Sequence, residues 1–119
     1  MVKSIKISVK GKKVFINALA YRNMFQQARG LMFSVKKNIL FIFKKERYIQ
    51  LHMWFVFFPI WAFFIDSKGK IVERKFLHPF QIYFARCKAR YVLEVPNEDL
   101  GNKISVGDTL LWKPASNKL

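Results

Sequence analysis

The chain of 119 residues is short of the residues that most chemistry draws on. It has one cysteine, two histidines, seven acidic residues and five glycines. A lone Cys87 excludes an intramolecular disulfide and a cysteine metal cage, and a reducing cytoplasm fits that count. His52 and His78 stand in no metal-ligand spacing, so both are read as hydrogen-bonded side chains and no metal or cofactor is expected. Five glycines leave no phosphate-cradling loop, and the sparse carboxylates form no pair at acid–base spacing. The N-terminus, MVKSIKISVKGKKVFI, alternates lysine with isoleucine and valine and lacks the uninterrupted apolar block of a signal peptide. It therefore reads as a strand and not as a signal peptide.

Apolar and basic residues are plentiful instead. Hydrophobic residues make up 52%, with 13 Phe, enough for one core and one domain over residues 1–119. The net charge is +15, and it is uneven: residues 1–50 carry 12 basic and 1 acidic side chains, net +11. Such an excess attracts anionic partners, either a small anion or nucleic acid. It also keeps a protein dissolved, which is the plainer reading.

The longest apolar run is LHMWFVFFPIWAFFID, Leu51–Asp66. It falls short of the ~20 residues that a membrane helix needs and is broken by Pro59, so no transmembrane segment is expected. Its β-branched and aromatic content reads as two strand pieces buried on both faces, Ile49–Phe58 and Ile60–Ile65. Elsewhere, Ile5, Ile7 and Val9 alternate with polar residues, and a turn at Gly11 leads to a return strand at Val14–Ile16. Tyr21–Leu31 has helical spacing, with Gly30 as its end, so a short helix is placed near residues 21–30. Ile39–Phe43 is a strand and Lys44–Arg47 a charged link. Asp66-Ser67-Lys68-Gly69 is a hairpin turn leading into a strand from Ile71 to about Phe76. Phe80–Lys88 reads as irregular, Arg90–Val95 as a strand, Asn97 as a helix cap and Thr109–Trp112 as a last strand before a loose tail at 114–119. Seven or eight short strands point to a mainly β fold, a compact barrel or jelly-roll-like sandwich.

Five motifs in order then carry a resemblance. They are Arg29-Gly30-Leu31-Met32; Phe41-Ile42-Phe43; Pro59 ahead of Phe64-Ile65-Asp66 and Gly69-Lys70-Ile71-Val72; Ala89 through Pro96; and Ile104 through Asp108. Over about residues 20–113 the chain resembles domain-of-unknown-function family 192, uncharacterised protein family 0127. The resemblance implies a compact β-barrel or jelly-roll-like fold and brings no activity with it. Where bacterial relatives carry Asn, Thr and Asp, this chain has Phe55, Val56 and Trp61, which is similar to the archaeal branch.

The expectation for function is a small binding or interaction module without catalysis. Arg29, His52, Trp54 and Asp66 are the candidate binding residues, and the same four would line the pocket of an enzyme if there were one. Arg29 is read as pairing with Asp66 or Glu94, or as presenting its guanidinium to an anion. For a basic nucleic-acid-associated protein the contacts would be Phe33 with Lys36 and Lys37, and Tyr48 with Lys45 and Arg47. Cys87 sits between Arg86 and Lys88, and alternation turns it toward the core.

Overall fold

A computed structural model describes residues 3–22 and 36–114, with the side chains of the last two excepted. Among the described residues, seven strands and one helical turn follow one another: β1 Lys3–Val9, β2 Phe15–Tyr21, β3 Ile39–His52, β4 Ile60–Ile65, β5 Ile71–Leu77, β6 Ile82–Val95, α1 Glu98–Gly101 and β7 Leu110–Pro114. They form one sheet in the order β5-β4-β6-β3-β2-β1-β7. All of its pairs are antiparallel except β2 with β3.

Period-two patterning does what it should at the two hairpins. Ile5, Ile7 and Val9 point inward, and β1 pairs with β2 in the register Ile7↔Ile16. Asp66 opens the β4–β5 turn, and Gly69 closes it at φ +91. A side chain at Gly69 would also drive its Cβ to 2.8 Å from the Leu110 carbonyl oxygen, because β7 passes close by. Here the two edges of the sheet meet. Leu110 N–H donates to Gly69 O, Ile71 N–H to Asp108 O, and Gly107 N–H to Ile71 O, at 2.8–2.9 Å. The sheet is thus open, not a closed barrel, but it curls until its edges are clasped at one end.

The curl makes two apolar layers. Alternate residues of β4 and β6 serve opposite sides. Phe63, Ile65, Leu93 and Val95 face the inner surfaces of β1, β2 and β7. Ile60, Ala62, Phe64 and Val92 face the far half of the β3–β6 ladder, which folds back over them with Ile49, Leu51 and Tyr83. The last four residues of β4, Ala62 to Ile65, are fully buried, as expected of a strand covered on both faces.

Three expectations are corrected. First, Lys44–Arg47 is no link. β3 runs unbroken through it, with register shifts between Ile42 and Arg47 and between Tyr48 and Gln50. Charged residues are tolerated there because residues 44–48 face solvent. Second, Met53–Pro59 is a loop and not strand. Met53 and Val56 both plug the core, a spacing that alternation cannot produce, and Phe55 turns the chain at φ +58. Third, Phe80–Lys88 is regular from Ile82 onward, as the first half of β6. Tyr21 closes β2; the rest of the expected helix at 21–30 lies outside the described residues apart from Arg22, which belongs to no element.

Candidate binding surface

The long β3–β6 ladder has an inner and an outer side. Ile49, Leu51, Tyr83 and Ala85 turn inward to the second apolar layer. Their neighbours turn out: Tyr48 pairs with Lys88, Gln50 with Phe84, and His52 with Ile82. Two of these outward rings are more exposed than is usual for their type, Tyr48 at 62% and Phe84 at 67%. The Lys88 ammonium lies 5.6 Å from the Tyr48 ring centre, and the Arg47 guanidinium 5.5 Å from that of Phe43. Lys44, Lys45, Arg47, Arg86 and Lys88 are all exposed on this stretch.

The ladder ends in an aromatic tip. Backbone bonds sew the 53–59 loop to the turn before β6: Met53 N–H donates to Gln81 O, and Phe80 N–H to Met53 O, both at 2.8 Å. With Met53 and Val56 drawn into the core, the residues between and after them are pushed out. Trp54, Phe55, Phe57 and Phe80 are 42–64% exposed. Phe80 is their hub, with ring centres 5.8 Å from Phe57, 6.0 Å from Phe55 and 6.3 Å from Trp54. Phe55 and Phe80 both take positive φ, at +58 and +64, where a bulky L-residue is strained. The fold therefore holds two strained phenylalanines in order to display aromatic rings to water. His52 adjoins this tip, 6.3 Å from Trp54, and its Nδ1 accepts the Trp54 N–H at 3.4 Å.

A half-buried brace ties the ladder to β5. Tyr83 Oη donates to one oxygen of Glu73 on β5. The other oxygen accepts the N–H groups of Arg86 and Cys87, each at 2.9 Å. Burial first, and then this bond to a carboxylate, push the Tyr83 hydroxyl up to about 12.

The expected site residues part company. His52 and Trp54 come together at the tip. Asp66 stands at the other end of β4, where one oxygen accepts the N–H groups of Lys68 and Lys70, both at 2.9 Å. Its geometry is that of a turn. Arg29 and Phe33 lie outside the described residues. Lys36 and Lys37 stand just before β3, with ammonium groups 5.8 Å from the rings of Phe58 and Tyr21. With Asn38, Pro59, Pro96, Asn97 and Glu98 they edge an open hollow of about 530 Å³. Lys45, Arg47 and Tyr48 lie on the ladder. Cys87 is exposed, not core-facing, with its thiol 3.8 Å from Val72 O. His78 packs edge-on against Phe76 at 5.2 Å. Glu94, opposite Ile39 and Ala62 in the sheet, is 93% buried by its 7% exposure, and burial pushes its carboxyl up to about 8. Among the described residues no group of three or more His, Cys, Asp and Glu gathers in metal-binding proximity, and no helix is long and apolar enough to cross a membrane.

Phe80, Ile82, Phe84, Arg86 and Lys88 were missing from the sequence-derived set. Part of their signal was present as the alternation of Ile82 and Phe84 with Tyr83 and Ala85, which breaks at the exposed run Arg86-Cys87-Lys88. Mixed aromatic and cationic character on the outward positions disguised it as irregular chain.

The family model DUF192, "Uncharacterized ACR", matches residues 5–112. A UPF0127 protein of Pyrococcus horikoshii is 33% identical over 97 residues, covering 76% of this chain and 82% of the relative. Another, from Pyrococcus furiosus, is 29% identical over 107 residues, covering 87% and 92%. Two solved structures share the fold. A protein of Sinorhizobium meliloti 1021, proposed to be a transcription regulator, superposes with a TM-score of 0.81 at 22% identity, over 97% of this chain and 95% of that one. A protein of unknown function from Novosphingobium aromaticivorans gives 0.78 at 16% identity, over 93% and 85%. With these matches the chain belongs to the DUF192 (UPF0127) family.

Proposed function

We propose that the protein is a binding module that works through the outer face of the β3–β6 ladder and its aromatic tip, with no catalytic step of its own. The observation that carries this is the contiguous exposure of Trp54, Phe55, Phe57 and Phe80, held by two residues at positive φ. Apolar clusters of this kind on a small chain serve as contact surfaces. Strain retained against folding marks a place where the surrounding structure serves something other than stability. The adjoining cations select for an anionic partner. The cytoplasmic setting read from the single cysteine, and the single domain over residues 1–119, belong to the same proposal.

Native mass spectrometry of protein purified gently from its source cells tests the reading. Wild-type chain should carry a retained partner that the doubly substituted Trp54→Ser, Phe57→Ser chain has lost. Wild type that emerges bare and indistinguishable from the variant overturns the proposal.

A further inference from the structure

The ladder and the tip differ in chemistry, and the ladder is the more specific of the two. Its outward side sets Tyr48 beside Lys88 and places Phe84 opposite Gln50. On β3 the paired positions Tyr48 and Gln50 are two residues apart, while on β6 Lys88 and Phe84 are four apart across the register shift. Phe84 is 67% exposed, and Tyr48 at 62% meets one ammonium on its ring. Arg86 and Lys88 are exposed two and four residues beyond Phe84, across a register shift in the ladder, and Lys45 and Arg47 are exposed just before Tyr48 on β3. Residues 1–50 carry a net charge of +11. Free ring faces on a rigid strand, each with cations within a side chain's reach, match a partner that alternates planar apolar rings with negative charges.

We infer that this face binds single-stranded nucleic acid, with bases stacking on Tyr48 and Phe84 and phosphates held by Lys45, Arg47, Arg86 and Lys88. A duplex fits less well, because its bases are already stacked on one another and offer no ring face to these side chains. A second copy of the chain fits less well too, since it would bring +15 against +15. Ring stacking tolerates any base, so the binding is weak in sequence preference and strong in salt dependence. The inference rests on the binding-module reading and names its partner.

Fluorescence anisotropy with a labelled 12-nucleotide single strand tests it, with a duplex of the same sequence and acidic phospholipid vesicles as the other probes. The single strand should bind at 50 mM salt and weaken about 50-fold by 200 mM, the fall expected for about four phosphate contacts on a single strand. Phe84→Ala and Tyr48→Ala should each weaken it about tenfold, while Phe15→Ala, on β2, changes nothing. Arg86→Gln with Lys88→Gln should lower the salt slope by about 1.4. All these side chains are exposed, and an unchanged thermal midpoint verifies the fold. No retention of the single strand at 50 mM salt overturns the inference, as does equal duplex binding unaffected by the two ring substitutions. If vesicles bind through Trp54 and Phe57 while the oligonucleotide does not, the nucleic-acid inference falls and the binding-module reading stands. If no probe binds and the native protein is bare, both fall.

Discussion

Trp61 shows how one side chain can serve as scaffold. This tryptophan donates its Nε1–H to Asn102 Oδ1 at 3.0 Å and lies under the Arg74 guanidinium at 4.5 Å. Arg74 in turn donates to Ile104 O at 2.8 Å. Gly101 completes the set, because a Cβ there would meet the Trp61 ring at 2.2 Å. Gly101→Ala should therefore cost about 2 kcal/mol through overpacking, against the small gain that alanine normally brings to a helix. Chemical denaturation of the two proteins measures it. Glu94 gives the second residue-scale expectation. Its folded pKa, about 8, is raised above the ordinary carboxylate value. The folded chain thus holds a proton that the unfolded chain gives up. Stability is greatest below about pH 4.5 as far as this group is concerned, and it falls as the pH rises to about 8. Glu94→Gln should remove that decline and raise the thermal midpoint at pH 8 by at least about 5 °C, with little change at pH 4.5.

At the scale of elements, the clasp between the β5 and β7 ends sets the curl. Lys12 reaches Asp108 at 2.9 Å, and the same carboxylate oxygen accepts Ser105 N–H at 2.8 Å. Burial pushes the Asp108 carboxyl up, but the Lys12 ammonium and the Ser105 N–H outweigh it and leave the group below its usual range. The clasp's contribution is present above the ordinary aspartate pKa and is lost as the pH falls through the lower folded value. Asp108→Asn should cost about 1 kcal/mol at neutral pH and nothing in strong acid. Acid titration followed by circular dichroism reads both limits. The elements also mark where the sequence speaks and where it is silent. The β1–β2 hairpin and the Asp66–Gly69 turn were legible, since alternation and turn chemistry act over a few neighbouring residues. The unbroken β3 was not, because Lys44–Arg47 looks like a link until the bend of the ladder supplies solvent on its outer side. The 53–59 loop was not legible either. A continuous apolar run carries no mark of which residues plug the core and which are turned out, and that choice depends on Gln81 and Phe80, more than twenty residues away.

For the whole molecule, the division of labour is between a doubly buried centre and a ladder that projects charge and rings. Of the candidate residues, His52, Trp54, Lys45, Arg47 and Tyr48 were legible as aromatic or basic residues in an apolar chain. Their partners Phe80, Phe84, Arg86 and Lys88 join them only through pairing between β3 and β6, which local sequence does not encode. Because the tip is solvent-facing, Trp54→Ser with Phe57→Ser should leave stability within about 1 kcal/mol of wild type while raising the concentration at which the protein self-associates, as light scattering would show. The account's central claim is that this face is a contact surface, and photo-crosslinking in living source cells tests it most directly. A benzophenone side chain placed at position 84 should yield a discrete adduct that the same group at position 15 does not. Adducts of equal yield and identity from both positions, or none from position 84, would contradict it.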